Sequence, residues 1–260
     1  MSDYETVLLE RRDGVALLTL NRPDSLNAFS AELRRDLGLA VAEVNADDSL
    51  RVAVLTGSGR AFCAGADLLE VQGDDFDVRR QLLEEYKPVL SAINESSKPW
   101  ISAVNGAAAG IGSAFAMVCD LTVMAENAFL YQAFTAIGLV PDGGATWHLA
   151  RTIGRKRAYE MIVTGEKLRA ERCLELGLCN RVVPSDELLS ATMDWAKELA
   201  GKAPLSLRYA KQALNSAMEE SVADTISSEA ELQHICINSA DAKEGVTAFV
   251  EKREPKWQGK

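Results

Sequence analysis

The sequence has only two histidines, His148 and His234, and its five cysteines (Cys63, Cys119, Cys173, Cys179 and Cys236) form no CxxC pair. Metal sites built on nitrogen or thiolate ligands need such residues at short, repeated spacings, so no metal is expected. The cysteines read as reduced core thiols rather than a disulfide framework. Positive charge is scarce as well: 28 Lys and Arg stand against 38 Asp and Glu, for a net charge of −10. Nucleic acid and anionic membranes are bound through basic patches that release counterions, and this balance argues against both as partners. No stretch has the roughly 18 uninterrupted apolar residues of a membrane span. The charged start MSDYETVLLERRDG lacks the apolar run of a signal peptide. A soluble, cytoplasmic protein is therefore expected, with local positive charge available for an anionic small ligand.

What is present is apolar surface in quantity, 47% of 260 residues, enough for a substantial core. The opening TVLLERRDGVALLTLNRP has two β-rich runs around Asp13-Gly14, a hairpin signal. Next, SAELRRDLGLAVAEVN sets Leu33, Leu37, Val41 and Val44 on one helical face, with Ser30 as its cap. RVAVLTG, KPWISAVNG and DLTVMAE read as buried strands alternating with helices, which gives an α/β fold. From Ser185 the period is helical, broken at Ala203-Pro204, so residues 1–200 are expected to form the core and 201–260 a helical C-terminal region. No low-complexity segment or flexible linker interrupts the chain.

The stretch NGAAAGIGSAFAMVCD, residues 105 to 120, holds many small residues and no acid or base until its end. It admits close approach of a backbone or ligand, or a helix packed tightly on its small face. A dinucleotide-binding turn fails, because the third glycine of that pattern is Phe115. A second glycine-rich turn, GSGRAFCAGADL, follows the strand RVAVLTG and ends in Ala64-Gly65-Ala66-Asp67.

Taken in order and spacing, GRAFCAGADL, AVNGAAAGIG with CD just beyond, IGLVPDGGATWHL and GLCNRVVP resemble the crotonase (enoyl-CoA hydratase/isomerase) superfamily. The resemblance runs from LNRPDSLNAFS to AFVEKR, nearly the whole chain. It implies a repeated ββα spiral core, assembly into homotrimers or dimers of trimers, an acyl-CoA substrate, and no cofactor beyond the CoA the substrate carries. It also implies two backbone N–H groups that stabilise an enolate, which carry over to Ala66 and Ile111. Gly65 and Gly110 precede these donors, and the resemblance places the adenine and pantetheine of CoA along Ala64, Ala66 and Leu68. Arg22 is expected at phosphate, Asp67 in the same turn, and Trp257 by the nucleotide of its own or a neighbouring subunit.

The family's hydratases hold water with two glutamates, and the matching positions here are Ala114 and Phe134. Neither side chain can accept a proton, so two-glutamate hydration is disfavoured and both are expected to line an apolar substrate site. The isomerase branch resembles this chain in LVPDGG, which puts Asp142 directly after Pro141. Asp142 has two readings, a catalytic base or the N-cap of the helix ATWHLARTIG, and the missing glutamates favour the base. The expected activity is a double-bond isomerase; a hydratase with an atypical base and a non-catalytic acyl-CoA binder are the alternatives. His148 reads as a packed or surface residue, Asp120 as satisfying backbone at a strand start, Asp67 as stabilising its turn, and the DDFD run at 74–77 as a solvated loop and helix cap.

Overall fold

Asp13 and Gly14 both take left-handed backbone angles, φ 52° and 79°, and so make the two-residue turn that suits the twist of a hairpin. In the computed structural model, which describes residues 4–70 and 76–260, this turn joins β1 (Val7–Arg12) to β2 (Val15–Leu20) in antiparallel register. Ser30 Oγ then accepts a hydrogen bond from the Leu33 amide at 3.3 Å and starts α1 (Ala31–Ala46). Leu33, Leu37, Val41 and Val44 are buried on its inner face, as their spacing requires.

From there one pattern recurs: a buried strand, a three-residue strand at an angle to it, and a return helix. The first turn has β3 (Val52–Gly57), β4 (Ala61–Cys63), and a helix that runs from α2 (Val78–Arg80) through a widened π turn at Gln81–Tyr86 into α3 (Lys87–Asn94). The second has β5 (Trp100–Val104), β6 (Ala107–Ala109) and α4 (Ile111–Met117). The third has β7 (Leu121–Ala125), β8 (Phe129–Tyr131), α5 (Ala145–Ile153) and α6 (Arg155–Thr164). β9 (Lys167–Arg169), α7 (Ala170–Glu175), β10 (Arg181–Val183) and α8 (Leu188–Ala200) complete the spiral.

The long strands form one sheet in the order β1-β2-β3-β5-β7-β10, parallel beyond the first hairpin, and the short strands form a second, β4-β6-β8-β9. Each turn of the chain therefore adds one strand to each sheet, which stacks the loops after β4, β6 and β8 beside one another. The small residues at 105–120 follow from this stacking: a Cβ on Gly112 would stand 2.6 Å from the carbonyl oxygen of Cys63 in β4. Asp120 accepts the amide of Trp100 at 2.8 Å, at the start of β5, the role its position suggested. Of the DDFD run, Asp77 accepts the Arg80 amide at 3.1 Å as a helix cap, while Asp74 and Asp75 lie outside the described residues.

Past Ala203-Pro204 the chain is helical: α9 (Pro204–Ala217), α10 (Val222–Ile237) and α11 (Ala240–Glu251). Neither α9 nor α10 buries a residue in the single chain. α9 is nonetheless tied to the core, since Lys211 Nζ reaches the carbonyl of Ile93 at 2.8 Å and Asp120 at 2.9 Å, and Asn215 donates to the carbonyl of Asn94 at 3.1 Å. Among the described residues no helix is long and apolar enough to cross a membrane.

Candidate active site

The turns after β4 and β6 meet at Gly65 and Gly110, which have φ of +108° and +52°. Built Cβ atoms measure the closeness: one on Gly110 would stand 3.9 Å from the Cα of Gly65, and one on Gly65 would stand 3.1 Å from the carbonyl oxygen of Ala109. Glycine is needed at both, for the dihedral angle and for the approach. Each turn delivers one backbone donor. Ile111 is the first residue of α4, so its N–H has no acceptor within the helix. Among the described residues neither the Ile111 nor the Ala66 amide donates to another backbone carbonyl, although their neighbours do: Gly110 to Tyr131 at 2.9 Å and Asp67 to Phe29 at 3.1 Å. Behind the Gly110 turn, Ser113 Oγ donates to the Gly110 carbonyl at 2.7 Å and Gln132 Nε2 donates to Ser113 Oγ at 2.8 Å, all of it buried. Sequence reasoning missed this brace, because two ordinary polar residues nineteen positions apart carry no local pattern.

Asp142 lies on the wall of a cavity of about 670 Å³ that runs between α3 and α5. The loop carrying it packs directly on α4, since a Cβ on Gly143 would stand 2.2 Å from Ile111 Cδ1 and 2.9 Å from Ala114 Cβ. Its Oδ1 is buried with no hydrogen-bond partner among the described residues, and burial pushes the carboxyl up to about 6. The capping reading of Asp142 is overturned: Gly144 is the N-cap of α5, no side chain caps the helix, and the Ala145 amide is taken by the Asp142 backbone carbonyl at 3.0 Å. Gly144 can enter the helix at φ +83°, which removes the need for a carboxylate there. Ala114 and Phe134, where hydratase glutamates were sought, are both buried, with the Phe134 ring 3.8 Å from a Cβ position on Gly110.

The cavity also gathers Tyr86 from the π turn and His148 from α5. Tyr86 is 2% exposed, its Oη has no partner at hydrogen-bond distance among the described residues, and burial raises its pKa, so it is a neutral hydroxyl. His148, half-buried, is held down to about 4 by burial and then by Arg151, and is neutral near pH 7. Sequence alone put His148 among packed or surface residues; its place on the wall opposite α3 depends on the helix pairing.

A profile of the family described as enoyl-CoA hydratase/isomerase matches residues 10–260. The chain belongs to the enoyl-CoA hydratase/isomerase family. Among its relatives are a protein of Rhodobacter capsulatus named probable enoyl-CoA hydratase, 38% identical with 99% of both chains covered, and the 1,2-epoxyphenylacetyl-CoA isomerase of Escherichia coli, 38% identical with 98% of this chain and 99% of that one covered. The solved structure of an enoyl-CoA hydratase from Bacillus anthracis is similar at a TM-score of 0.94 and 31% identity, covering 98% of this chain and all of that one.

Within this family member, the residues expected along CoA divide. Ala64, Gly65 and Ala66 stand together in the turn after β4, with the Ala64 amide donating to Leu26 at 2.9 Å, and Leu68 is exposed just beyond. Arg22 is half-buried and already paired, at 3.1 Å with Asp67 and 2.5 Å with the Ala28 carbonyl. Asp67 also accepts the Leu69 amide at 3.3 Å, so it ties its own turn to Arg22. Trp257 donates to the Gly201 carbonyl at 2.9 Å and packs on Gly245 of α11.

Proposed function

We propose that this enzyme isomerises an acyl-CoA thioester by moving a double bond from the 3,4 to the 2,3 position. The observation that carries the reading is Asp142: a half-buried carboxylate whose buried Oδ1 has no partner among the described residues, on a loop packed against Ile111, with apolar side chains at both positions where hydratases hold water. The thioester oxygen sits between the N–H groups of Ala66 and Ile111, which stabilise the negative charge it gains when C2 loses a proton. Asp142 takes that proton, the electron pair spreads through the enolate toward C4, and the same carboxyl returns the proton there. One base serves both transfers, and the product is an isomer of the substrate with nothing added or lost.

Ala114 and Phe134 exclude an ordered water from the face where it would attack C3, and the dry surroundings keep the Asp142 carboxyl near the pH at which a base both takes and gives a proton. The Escherichia coli relative's name supports the isomerase reading, while the relatives named as hydratases make water addition the competing outcome. The test is a panel of 2-enoyl-CoA and 3-enoyl-CoA thioesters with product identification. Conversion of 3-enoyl to 2-enoyl thioesters faster than any 3-hydroxyacyl product appears is expected. A 3-hydroxyacyl product as the main outcome overturns the proposal in favour of hydration, and binding without turnover overturns it in favour of a non-catalytic binder.

The same reading includes assembly into trimers or dimers of trimers. What supports it is the C-terminal helices, which leave Leu214, Val222 and Phe249 exposed at 69%, 79% and 85%.

A further inference from the structure

One part of the cavity is out of keeping with a plain hydrocarbon acyl group. Tyr86, Ser91 and Asn94 line it from one side, and His148 lines it from α5 on the other. Among the described residues the hydroxyl of Ser91 and the carboxamide of Asn94 make no hydrogen bond, the Tyr86 hydroxyl has no partner at hydrogen-bond distance although the Arg34 guanidinium lies 5.6 Å from its ring centroid, and the His148 ring meets the edge of Trp147, centroids 4.9 Å apart at 78°. In the neighbouring turn, by contrast, Ser113 Oγ and Gln132 Nε2 are both engaged. Four free polar groups converging on one cavity are wasted on an alkyl chain, because each would be stripped of water and given nothing in return.

We propose that the cavity selects acyl groups bearing a hydrogen-bonding oxygen remote from the thioester, with His148 as the specificity-determining residue. This rests on the acyl-CoA reading of the site. A neutral imidazole presents one N–H and one bare nitrogen, so it can both donate to and accept from a single hydroxyl. Trp147 braces the ring on one side, and α5 keeps it in line with Asp142, so an acyl group reaching past the carboxylate brings its far end to His148, Ser91 and Asn94. A hydroxyl or carbonyl there pairs with groups that a methyl or bare ring edge would leave unsatisfied.

The experiment is calorimetric titration of the full chain with two matched pairs of saturated thioesters: hexanoyl-CoA with 6-hydroxyhexanoyl-CoA, and phenylacetyl-CoA with 4-hydroxyphenylacetyl-CoA. In at least one pair the hydroxylated member is expected to bind about tenfold tighter or more. His148→Leu removes that preference and His148→Asn, which keeps a donor and an acceptor, retains part of it. Equal or weaker binding of both hydroxylated thioesters, or a preference that survives His148→Leu, overturns the proposal. If His148→Leu does not fold, Ser91→Ala and Asn94→Ala take its place: the preference falls in one of them or the proposal fails. None of the four thioesters has a double bond to move, so this result is independent of whether the enzyme isomerises.

Discussion

Gly65 and Gly110 meet across the site with 3.9 Å between the Cα of Gly65 and the Cβ position of Gly110, and this contact sets the spacing of the two free amides that follow them. Gly110→Ala puts a methyl at φ +52°, ψ −131°, a conformation essentially reserved for glycine, at a cost of about 1–3 kcal/mol. Relief of that strain moves the Ile111 amide, so kcat is expected to fall by roughly 10²-fold or more, the loss typical of one oxyanion donor. Steady-state rates beside a denaturation curve check this; unchanged kcat would remove Ile111 from the oxyanion role.

Asp142→Asn keeps size and polarity but cannot carry a proton, and isomerisation is expected to drop by at least about 10²-fold. For the native enzyme, kcat/KM should rise with pH through about 6 as the carboxyl ionises, then level off. The stability effect has the opposite sign to that of a cap. Because the folded-state pKa lies above the 3.8 of a free aspartate, the folded protein holds this proton more tightly, and stability from the protonated form is lost as pH rises through 6. Asp142→Asn should therefore melt at the same or a higher temperature than the native protein at pH 7, with the difference vanishing below about pH 4. A large drop in melting temperature at pH 7 would restore the structural reading.

Ser113→Ala removes the donor to the Gly110 carbonyl and strands Gln132 Nε2 in a buried position. The expected cost is about 1–2 kcal/mol of stability together with a fall in kcat larger than any rise in KM, since the brace acts on the position of a donor and not on CoA. Ser113→Thr, which keeps the hydroxyl, should recover part of kcat.

Lys98 makes a stability prediction far from the chemistry. Its buried ammonium joins the carbonyls of Val44, Asn45 and Asp47 at 2.6, 3.0 and 2.8 Å, closing the end of α1. Lys98→Met leaves those carbonyls unpaired while sparing the cost of a buried charge, for a net loss of about 1–3 kcal/mol by urea titration and little change in KM.

Light scattering at micromolar concentration is expected to report a trimer or hexamer. Charged substitutions at Val222 and Phe249 should shift it toward smaller species without altering the circular dichroism spectrum. A monomer for the unsubstituted chain would refute the assembly proposal.

Local signals were the ones legible in the sequence. Ser30 and the Leu33–Val44 stripe announced α1 because capping and a 3.6-residue period act within one segment. β4, β6 and β8 gave no such signal, since three residues are too few to show alternation, and Ala107–Ala109 has a composition that suits a helix at least as well. The glycine turns could be read as places of close approach, but which turn met which came only from the family resemblance, because it depends on how the spiral stacks. Asp142 was ambiguous for a physical reason: Asp-Gly-Gly-Ala suits a cap, and only the left-handed angle at Gly144 shows that glycine opens α5 by itself. Tyr86, Ser91 and Asn94 lie along one continuous helix and His148 on α5, and no spacing rule brings the two helices together.

The grip of Lys211 and Asn215 on the last turn of α3 gives α9 two duties at once. It steadies the strip of α3 on which Ser91 and Asn94 stand, and in the proposed assembly its outer face would meet neighbouring copies. Under the proposed assembly, contacts between copies and the cavity wall would share this one helix, while the Gly65–Gly110 contact lies apart from it. Because these bonds lie within one chain, a single protomer keeps its hold on that wall of the cavity.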